Sequence, residues 1–495
     1  MTTEVPLDAD ARRLAELGYV QELKRRMSWF SNFAVSFTII SILSGCITTY
    51  FLAMDNGGPF DMTTGWLIVG IFVTLISLAM AEICSVYPTA GGLYFWAANL
   101  ARTNKRAWAW GVGWFNFLGE VAVTAAIDYG AAITMAAFLN LTAGFEVTLV
   151  RTFLLYAAIL ILHGLLNTFG VNLVKLLSDV SAWWHVIGVA IILVVLAVVP
   201  DRHQSVGWTL FDVEKSGGGW NSAVYAVLIG LLLAQYTFTG YDASAHVAEE
   251  THEAHTSAPR GIVMSVVVSL VAGFLLLFAI TWSIQDYQGT RETATGLPPA
   301  QVFIDAAGNG LGKFLLFIVL VAQLFCGMAS VTANSRMAYA FSRDDALPGS
   351  RWWKEVNPRT GTPTNSIWLC VACSLIVALP ALRSSIAFFA VTSIAVIGLY
   401  IAYGTPILLR LLNPRFAQGE WNLGPYSRIV GWIAVAWVAF IVVLFMLPQY
   451  TPITATSFNY APVAVAVVIA FAVATWYLGG KSHFLVHRDD MRDES

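Results

Sequence analysis

Apolar runs long enough to cross a lipid bilayer recur along almost the whole chain. A helix needs about 20 mainly apolar residues to span the hydrocarbon core. The 495-residue sequence is 57% hydrophobic and only 12% charged, whereas soluble domains carry roughly 25% charged residues. We therefore predict an all-α polytopic membrane protein with twelve transmembrane helices. The predicted spans are residues 29–53, 64–88, 107–139, 151–168, 173–199, 221–247, 261–283, 312–340, 365–382, 385–410, 428–447 and 459–478.

The distribution of positive residues predicts how the chain is oriented. An even number of spans puts both termini on one side of the membrane. The segments on that side hold 21 of the 27 Lys and Arg residues, and positively charged loops remain in the cytoplasm. We therefore expect a multi-pass protein of the plasma membrane with a cytoplasmic N-tail over residues 1–28 and a cytoplasmic C-tail over residues 479–495.

Two of the predicted spans are interrupted by glycine and small polar residues. The first interruption covers residues 44–49 and the second covers residues 237–242. Non-helical backbone at membrane depth is tolerated where it lines a cavity, and paired interruptions of this kind mark the substrate sites of transporters. The interruptions lie five spans apart, so we predict an inverted repeat of residues 29–199 and 221–410. Two further helices follow in residues 428–478.

Six segments, taken in order, resemble one family of transporters. They are LAELGYVQELKRRMSWFSNFAVSF in the N-tail, SILSGCITTYF in span one, MAEICSVYPTAGGLYFWAANLA in span two, FTGYDASAHVAEET in span six, and SRMAYAFSRDDALPGS and VNPRTGTPTNSI after span eight. Together they are similar to amino acid–polyamine–organocation permeases, and most similar to the amino acid/choline transporter branch with its GABA and choline permeases. The resemblance implies a LeuT-like fold and uptake of amino acids or small amines, usually driven by a proton gradient.

The first interruption has the chemistry of an anion site. Ser44, Gly45, Cys46 and Ile47 stand where the outer half of span one begins, and a helix start offers free N–H groups and a positive dipole end. We predict that these residues hold a substrate carboxylate, the role that their positions have in similar permeases. The alternative is a small-residue contact between helices.

The second interruption has the chemistry of an amine site. Unwinding around Gly240 would free carbonyl groups that can accept hydrogen bonds from a substrate ammonium. Tyr236 and Phe238 are candidate aromatic gates beside Thr239, since an aromatic face also suits a cation. Asp242 is predicted to bridge helices or to assist proton movement, and the alternative is an N-cap of the inner half-helix.

Two acidic residues within span three are candidates because intramembrane acids are usually functional. Glu120 and Asp128 are eight residues apart and therefore lie on nearly the same helix face. We predict that Glu120 pairs with a distal amine or with choline, and the alternative is a buried carboxyl bonded to Asn or Thr neighbours. Asp128 is expected to lie too near the outer surface to take part.

A histidine in span five is the predicted coupling residue. His185 lies fifteen residues after Gly170, the position at which related permeases often carry a lysine in place of a bound cation. Imidazole titrates near neutrality, so a proton can substitute for that cation. The alternative is a core histidine. Sodium coupling stays open because Ser330, Thr332 and Ser335 in span eight could supply oxygen ligands.

Three further features receive structural rather than binding interpretations. Glu82 is interpreted as an inner-gate or structural carboxyl. Tyr400 and Tyr403 in span ten line the outer path or simply pack. The histidines and acids after span six include HEAH, one residue short of a metalloprotease HExxH, and we expect no metal there. These loop residues are His246, Glu249, Glu250, His252 and His255.

The sequence therefore favours a secondary transporter over an enzyme. An enzyme would need a metal cluster or a nucleophile–base set at membrane depth, and we find neither pattern. We expect proton-driven import of an amino acid or small amine, GABA-like by preference, without a cofactor. The partners expected are this substrate and the bilayer, with no nucleic acid, for a monomer or weak homo-oligomer. The alternatives are a choline, ethanolamine or polyamine permease, possibly sodium-coupled or an exchanger, and a non-transporting sensor.

Overall fold

The computed structural model describes residues 9–169, 171–214, 219–384, 387–454 and 457–485. Within these ranges the chain is helical, with one isolated β-bridge between Met27 and Thr251. The prediction of an all-α protein is confirmed. Of the two predicted tails, residues 1–8 and 486–495 lie outside the described part.

The helices follow one another along the whole described chain. The first eleven are α1 (Ala9–Glu16), α2 (Trp29–Ile40), α3 (Gly45–Thr48), α4 (Tyr50–Met54), α5 (Trp66–Val86), α6 (Gly92–Leu100), α7 (Lys105–Ala143), α8 (Leu149–Phe169), α9 (Val171–Val198), α10 (Val206–Phe211) and α11 (Ala223–Gly230). The others are α12 (Leu232–Thr237), α13 (Ala243–His246), α14 (Ala254–Trp282), α15 (Tyr287–Arg291), α16 (Pro298–Arg343), α17 (Ser350–Trp353), α18 (Thr364–Val377), α19 (Ala387–Leu412), α20 (Ser427–Met446), α21 (Ala461–Thr475) and α22 (Lys481–His483).

Most of the predicted spans correspond to long apolar helices. In the described residues, 10 helical stretches are long and apolar enough to cross a membrane. Two shorter apolar stretches, Ala223–Thr237 and Thr364–Val377, fall in the predicted spans 221–247 and 365–382. The multi-pass architecture is thus confirmed, while the number of twelve crossings stays a prediction.

The first predicted break is present, but it lies one turn earlier than expected. Helix α2 ends at Ile40, and Ser41 adopts the left-handed conformation with φ of 35°. The chain is helical again from Gly45. The residue in the turn is a serine rather than a glycine. Two hydrogen bonds hold it there: its amide bonds the Phe37 carbonyl at 3.0 Å, and its hydroxyl lies 2.7 Å from His185 Nε2.

The second predicted break lies where the sequence places it. Helix α12 ends at Thr237 and α13 begins at Ala243. Gly240 has φ of 82°, which L side chains rarely adopt. A Cβ atom on Gly240 would also lie 2.2 Å from Ile39 Cγ2 at the end of α2. Only glycine therefore allows this turn to approach the first broken helix so closely.

The two breaks meet at the centre of the molecule. A Cβ atom on Gly45 would lie 2.6 Å from Thr237 Cγ2, so the start of α3 touches the end of α12. Around them, α7 packs along both α16 and α19, while α14 packs along α2 and α5. This arrangement surrounds the non-helical backbone with long helices that hold it in place.

Loops that the sequence assigns to one face of the membrane contact one another. On the predicted outer face, Arg202 Nη2 donates to the Gln285 carbonyl at 2.6 Å. On the predicted inner face, Arg106 Nε donates to the Phe484 carbonyl at 2.7 Å. These contacts join loops at each of the two ends of the helices.

Candidate substrate and coupling site

The first break is held by helices α9 and α16. Ser41 shares a hydrogen bond with His185 Nε2 at 2.7 Å, and Ser44 Oγ donates to Gln323 Oε1 at 2.5 Å. The amides of Ser44 and Gly45 both bond the Ser41 carbonyl, at 2.7 and 2.8 Å. Two of the four residues predicted to hold a carboxylate thus have their N–H groups occupied by the turn itself.

The other two predicted residues lie just after this turn. Cys46 and Ile47 lie in the first turn of α3, where backbone N–H groups lack intrahelical acceptors. Both side chains are buried. Ser44 and Gly45 thus have their amides bonded within the turn, while Cys46 and Ile47 belong to the helix that follows it.

Two tyrosines of α19 hold the second break. Tyr400 donates to the Phe238 carbonyl at 2.7 Å, and Tyr403 donates to Asp242 Oδ1 at 2.7 Å. Tyr403 also accepts a hydrogen bond from the Gly240 amide at 3.2 Å. These tyrosines lie at the break, and the sequence interpretation that they line an outer path missed this contact. The signal was their spacing of three residues, which puts both on one helix face.

The two aromatic gate candidates of the second break, Tyr236 and Phe238, have different surroundings. The Phe238 ring lies on the Trp66 ring of α5, with 4.2 Å between centroids, and it is fully buried. Thr239 Oγ1 donates to the Tyr236 carbonyl at 2.7 Å. In this conformation Phe238 therefore packs against α5 and does not cover the break, while Tyr236 is the buried aromatic that remains a gate candidate.

Asp242 does not cap the helix that it precedes. Its side chain makes no capping hydrogen bond to α13, so the N-cap alternative is wrong. Instead the carboxylate accepts from Tyr403, and its Oδ2 atom lies 3.3 Å from His246 Nε2. Glu120 of α7 completes this group, since one polar atom of each of Glu120, Asp242 and His246 lies within 4.8 Å of the others.

Asp128 has a buried partner that the sequence interpretation missed. Its Oδ1 atom lies 2.9 Å from His163 Nδ1 of α8, and both side chains are almost fully buried. A Cβ atom on Gly327 would lie 1.8 Å from Asp128 Oδ1, so glycine is needed there. The adjacent Cys326 donates to the Ile39 carbonyl at the end of α2. The expectation that Asp128 lies near the outer surface is therefore wrong, because it lies level with the first break.

His185 is fully hydrogen-bonded at the first break. Its Nδ1 atom lies 2.8 Å from the Ser181 carbonyl, which can only accept, so Nε2 accepts from Ser41 in the neutral ring. The ring meets Phe37 edge-on at 5.6 Å. These bonds satisfy a core histidine, and one of them reaches the residue that turns the chain. Gly170, from which the position was counted, lies outside the described residues.

The three hydroxyl residues considered for sodium do not converge. Ser330 bonds Thr124 of α7 at 2.8 Å, whereas Thr332 donates to Asn167 of α8 at 2.7 Å. Ser335 donates to the Thr332 carbonyl of its own helix at 2.9 Å. Each hydroxyl is thus engaged by a different neighbour, and the structure does not bring them together as one ligand set.

Glu82 joins helix α5 to the chain around α19 and α20. It accepts hydrogen bonds from the Leu423 amide at 3.0 Å and from Ser427 Oγ at 2.5 Å. Arg410 Nη2 of α19 lies 3.0 Å from its Oε2 atom. The side chain is buried. This geometry fits the interpretation of Glu82 as a structural carboxyl on the inner half of the molecule.

The acidic residues after α13 close the inner end with arginines of α16. Glu249 pairs with Arg343 at 2.9 Å, and Glu250 pairs with Arg336 at 2.8 Å. In the N-tail, Arg25 Nη1 donates to the Thr251 carbonyl at 2.6 Å. The two acids that precede HEAH are thus paired with arginines. His255 lies 3.2 Å from Glu420.

The predicted outer end carries a cavity of about 640 Å³. Four aromatic rings contribute to its wall, from α4, α7, α19 and the loop after α20. They belong to Phe51, Tyr129, Phe388 and Tyr450. The Tyr129 and Phe388 rings are 5.9 Å apart. An aromatic lining of this kind suits an organic ammonium group.

Comparison with known proteins places this architecture in one family. The family model described as "Amino acid permease" matches residues 27–471. The amino-acid permease BAT1 of Arabidopsis thaliana is 41% identical over 97% of this chain and 96% of its own length, and its homolog in Oryza sativa is also 41% identical, over 96% and 95%. The GABA-specific permease of Saccharomyces cerevisiae is 31% identical over 91% of this chain and 81% of its own length. The chain therefore belongs to the amino acid permease family and is a membrane transporter rather than an enzyme.

Proposed function

We propose that this permease imports an amino acid or small amine in symport with protons, by alternating access, with a GABA-like ω-amino acid as the favoured substrate. The observation that carries the proposal is the contact between the two breaks at Gly45 and Thr237, with the titratable His185 bonded to the first break. Similarity over most of the chain to a GABA-specific permease supports the substrate class.

The breaks offer complementary groups to the two ends of such a substrate. The amides of Cys46 and Ile47 suit the carboxylate. The distal amine has two buried candidate acids, Asp128 and Glu120. We favour Asp128, since its contact with Gly327, next to Cys326, puts it level with the first break. In this arrangement the separation between anion and cation sites selects substrates by length.

His185 is the proposed coupling residue. A neutral imidazole accepts from Ser41, whereas an imidazolium must donate at Nε2. Protonation therefore reverses the direction of the hydrogen bond at the left-handed residue of the break, without requiring any other charged partner to move. The 2.7 Å contact between His185 and Ser41 thus links proton binding to the conformation of the first broken helix.

We propose that the described conformation is an outward-facing state. We also propose that the protein lies in the plasma membrane with both termini in the cytoplasm. The inner end is closed by the pairs Glu249–Arg343 and Glu250–Arg336, while the outer end carries the aromatic cavity. Most Lys and Arg residues lie on the inner side, as cytoplasmic segments require. In alternating access, the inner pairs would separate when the outer cavity closes.

A second candidate function is transport of a quaternary amine such as choline. The observation that favours it is the aromatic lining of the outer cavity, since aromatic faces recognise quaternary ammonium groups. Choline lacks a carboxylate, so it would leave the Cys46 and Ile47 amides unused. Competition between choline and GABA for uptake separates the two candidates.

Uptake into proteoliposomes tests the function and its coupling. We expect a labelled mixture of the standard amino acids and GABA to yield at least one species that accumulates when the outside is acidic, and expect dissipation of the pH gradient to abolish accumulation. His185→Ala should lose gradient-driven accumulation and keep substrate binding. The matched control is His203→Ala, which changes a histidine stacked on Trp282 at the outer end. Proton dependence that is unchanged in His185→Ala would remove His185 from the mechanism.

Substrate competition tests the two acids. Asp128→Asn is expected to weaken GABA binding by about tenfold, as the loss of a charged hydrogen bond would, and to affect neutral α-amino acids less. Glu120→Gln is the parallel variant on the same face of α7. Equal effects on GABA and on alanine would make the mutated acid structural and would contradict its pairing with a distal amine.

A further inference from the structure

Three buried side chains form one group between the second broken helix and its surroundings. Asp242 and His246 lie at the two ends of α13, and Glu120 projects from α7. Each is at most 2% exposed. Their polar atoms lie within 4.8 Å of one another, so the charge on each depends on the charges of the other two.

A hydrogen bond of His246 fixes the position of one of its ring hydrogens. Its Nδ1 atom lies 2.9 Å from the Ala90 carbonyl, which can only accept, so Nδ1 carries a hydrogen. A neutral ring would then present a lone pair at Nε2. That atom lies 3.3 Å from Asp242 Oδ2. Two lone pairs would repel at this distance, and a proton on one of these two atoms would replace that repulsion with a hydrogen bond.

The group has polar atoms that nothing else in the described chain satisfies. Glu120 Oε1 and Asp242 Oδ2 are buried without a hydrogen-bond partner. Asn116 lies one turn before Glu120, is fully buried, and approaches His246 Nε2 with its Nδ2 atom at 3.2 Å. Its Oδ1 atom is also without a partner among the described residues. Unsatisfied buried groups are costly, which indicates that the group binds something further.

The charge of the surroundings identifies what it binds. Among the described residues, no lysine or arginine pairs with Glu120, Asp242 or His246, because the nearby Arg336 and Arg343 pair with Glu250 and Glu249. The other titratable groups that face the three are neutral hydroxyls and a thiol. They are Tyr400 and Tyr403 of α19, Tyr241 of the second break and Cys370 of α18.

Two ionised carboxylates beside a single proton would leave a net negative charge in the interior, where an unpaired charge is strongly disfavoured. We propose that Glu120, Asp242 and His246 form a second proton-binding site, distinct from His185, that is loaded when the inner end is closed. With two protons bound, the group is neutral overall: Glu120 is a carboxylic acid, and His246 is an imidazolium that donates to the Asp242 carboxylate.

The position of the site ties its protons to movement of α13. Asp242 and His246 move with the inner half of the broken helix, whereas Glu120 belongs to α7 and Tyr403 to α19. Opening the inner end would separate the Glu120 and Asp242 carboxyl groups and admit water. Glu120 and His246 would then release their protons to the cytoplasm, and the loss of the protons would disfavour closure until protons rebind. This inference rests on the proposed proton symport.

The test measures protons and substrate together in proteoliposomes that contain the full chain. A pH-sensitive dye inside the vesicles reports protons, and the labelled mixture of standard amino acids and GABA reports uptake. Glu120→Gln mimics the protonated acid, so we expect exchange of labelled for unlabelled substrate to persist while accumulation driven by the pH gradient falls at least tenfold. The number of protons moved per substrate should fall. The matched control is Asp61→Asn, which neutralises another buried carboxyl at the outer end of α5, and it should keep the wild-type ratio.

The outcomes distinguish this site from the symport itself. If the wild type shows no proton-dependent uptake, the proposed function fails. If the wild type is proton-coupled and Glu120→Gln keeps the same proton-to-substrate ratio, the second site is contradicted while symport stands. Infrared spectroscopy provides a readout other than transport. In the wild type we expect an infrared carboxylic-acid band that Glu120→Gln removes. A transition metal that co-purifies at one ion per chain and is lost in His246→Gln would also overturn the proposal.

Discussion

The two breaks are held in place by hydrogen bonds from different kinds of side chain. The first is turned by Ser41 and is bonded to His185 of α9 and Gln323 of α16. The second is turned by Gly240 and is bonded to Tyr400 and Tyr403 of α19. One broken helix is thus attached to a histidine, and the other is attached through Tyr403 to a group of acids. Symmetry in the backbone does not extend to the chemistry around it.

This difference predicts how each break responds to amino-acid substitution. The Gly240 turn depends on a backbone conformation that side chains disfavour, so neighbouring substitutions cannot compensate for its loss. The first break depends on side-chain contacts, so a second substitution can restore it. Comparing the severity of mutations at the two breaks, and whether they can be rescued, therefore tests the distinction.

The largest effect is expected for Gly240→Ala. A left-handed conformation costs an L residue about 1–2 kcal/mol, and the new Cβ would lie 2.2 Å from Ile39 Cγ2. Transport should fall to background in the proteoliposome uptake assay, and adding Ile39→Ala should not restore it. The control is Gly111→Ala in α7, where a Cβ meets no atom within 4 Å. Wild-type uptake by Gly240→Ala would contradict the required turn.

A smaller and reversible loss is expected for Gly45→Ala. Its Cβ would lie 2.6 Å from both Thr237 Cγ2 and Oγ1, but the backbone there is helical. We expect uptake to fall severalfold, and Thr237→Ala in the same chain to restore part of it by removing those two atoms. A double variant no more active than Gly45→Ala alone would show that the first break is as rigid as the second.

The tyrosines of the second break should differ in importance. Tyr403→Phe loses a hydrogen bond to Asp242 and one from the Gly240 amide, whereas Tyr400→Phe loses one to the Phe238 carbonyl. A hydrogen bond to a charged group contributes about 1.5–3 kcal/mol and a neutral one about 1 kcal/mol. Uptake should therefore fall by about tenfold or more in Tyr403→Phe and less in Tyr400→Phe. The reverse order would indicate that Asp242 is not held through Tyr403.

The smallest effect concerns Asp55, at the outer end of the helix that follows the first break. Burial raises the pKa of Asp55, and the hydrogen bond and charge of Arg291 lower it by less. The folded chain therefore binds this proton more tightly than the unfolded chain. The contribution of Asp55 to the free energy of unfolding should increase as pH falls through the raised pKa, and it should be lost at neutral pH.

Thermal unfolding of the wild type and of Asp55→Asn measures this contribution. The difference in melting temperature, wild type minus variant, should rise from neutral to mildly acidic pH. Asp201→Asn is the control, since Asp201 is exposed. A difference that stays constant with pH would show that Asp55 does not titrate in this range.

The sequence predicts the second break better than the first for a physical reason. A glycine such as Gly240 indicates a possible left-handed turn, because glycine adopts positive φ at little cost. Ser41 is left-handed through its contact with His185, 144 residues away, and no local pattern carries that information. The prediction therefore placed the first break at the nearest glycine, Gly45, which is needed for close contact rather than for the turn.

Depth within a long helix was similarly hard to predict. The spacing of Glu120 and Asp128 predicts that they lie on nearly the same face of α7. Their roles depend on which neighbours lie at each level, and α7 runs over 39 residues. Only the packing of α8 and α16 shows that Asp128 reaches His163 and lies level with the first break.

The N-tail crosses the inner end before the first membrane helix begins. The amides of Arg26 and Met27 both bond the Glu250 carbonyl at 2.9 Å, and the His252 amide bonds the Met27 carbonyl at 3.0 Å. Val20, a few residues earlier, is 78% exposed. A fluorophore attached to Val20→Cys would therefore move with the N-tail and would not disturb its hydrogen bonds to Glu250 and His252. The N-tail thus offers a position for an introduced sensor that would report each opening of the inner end in real time.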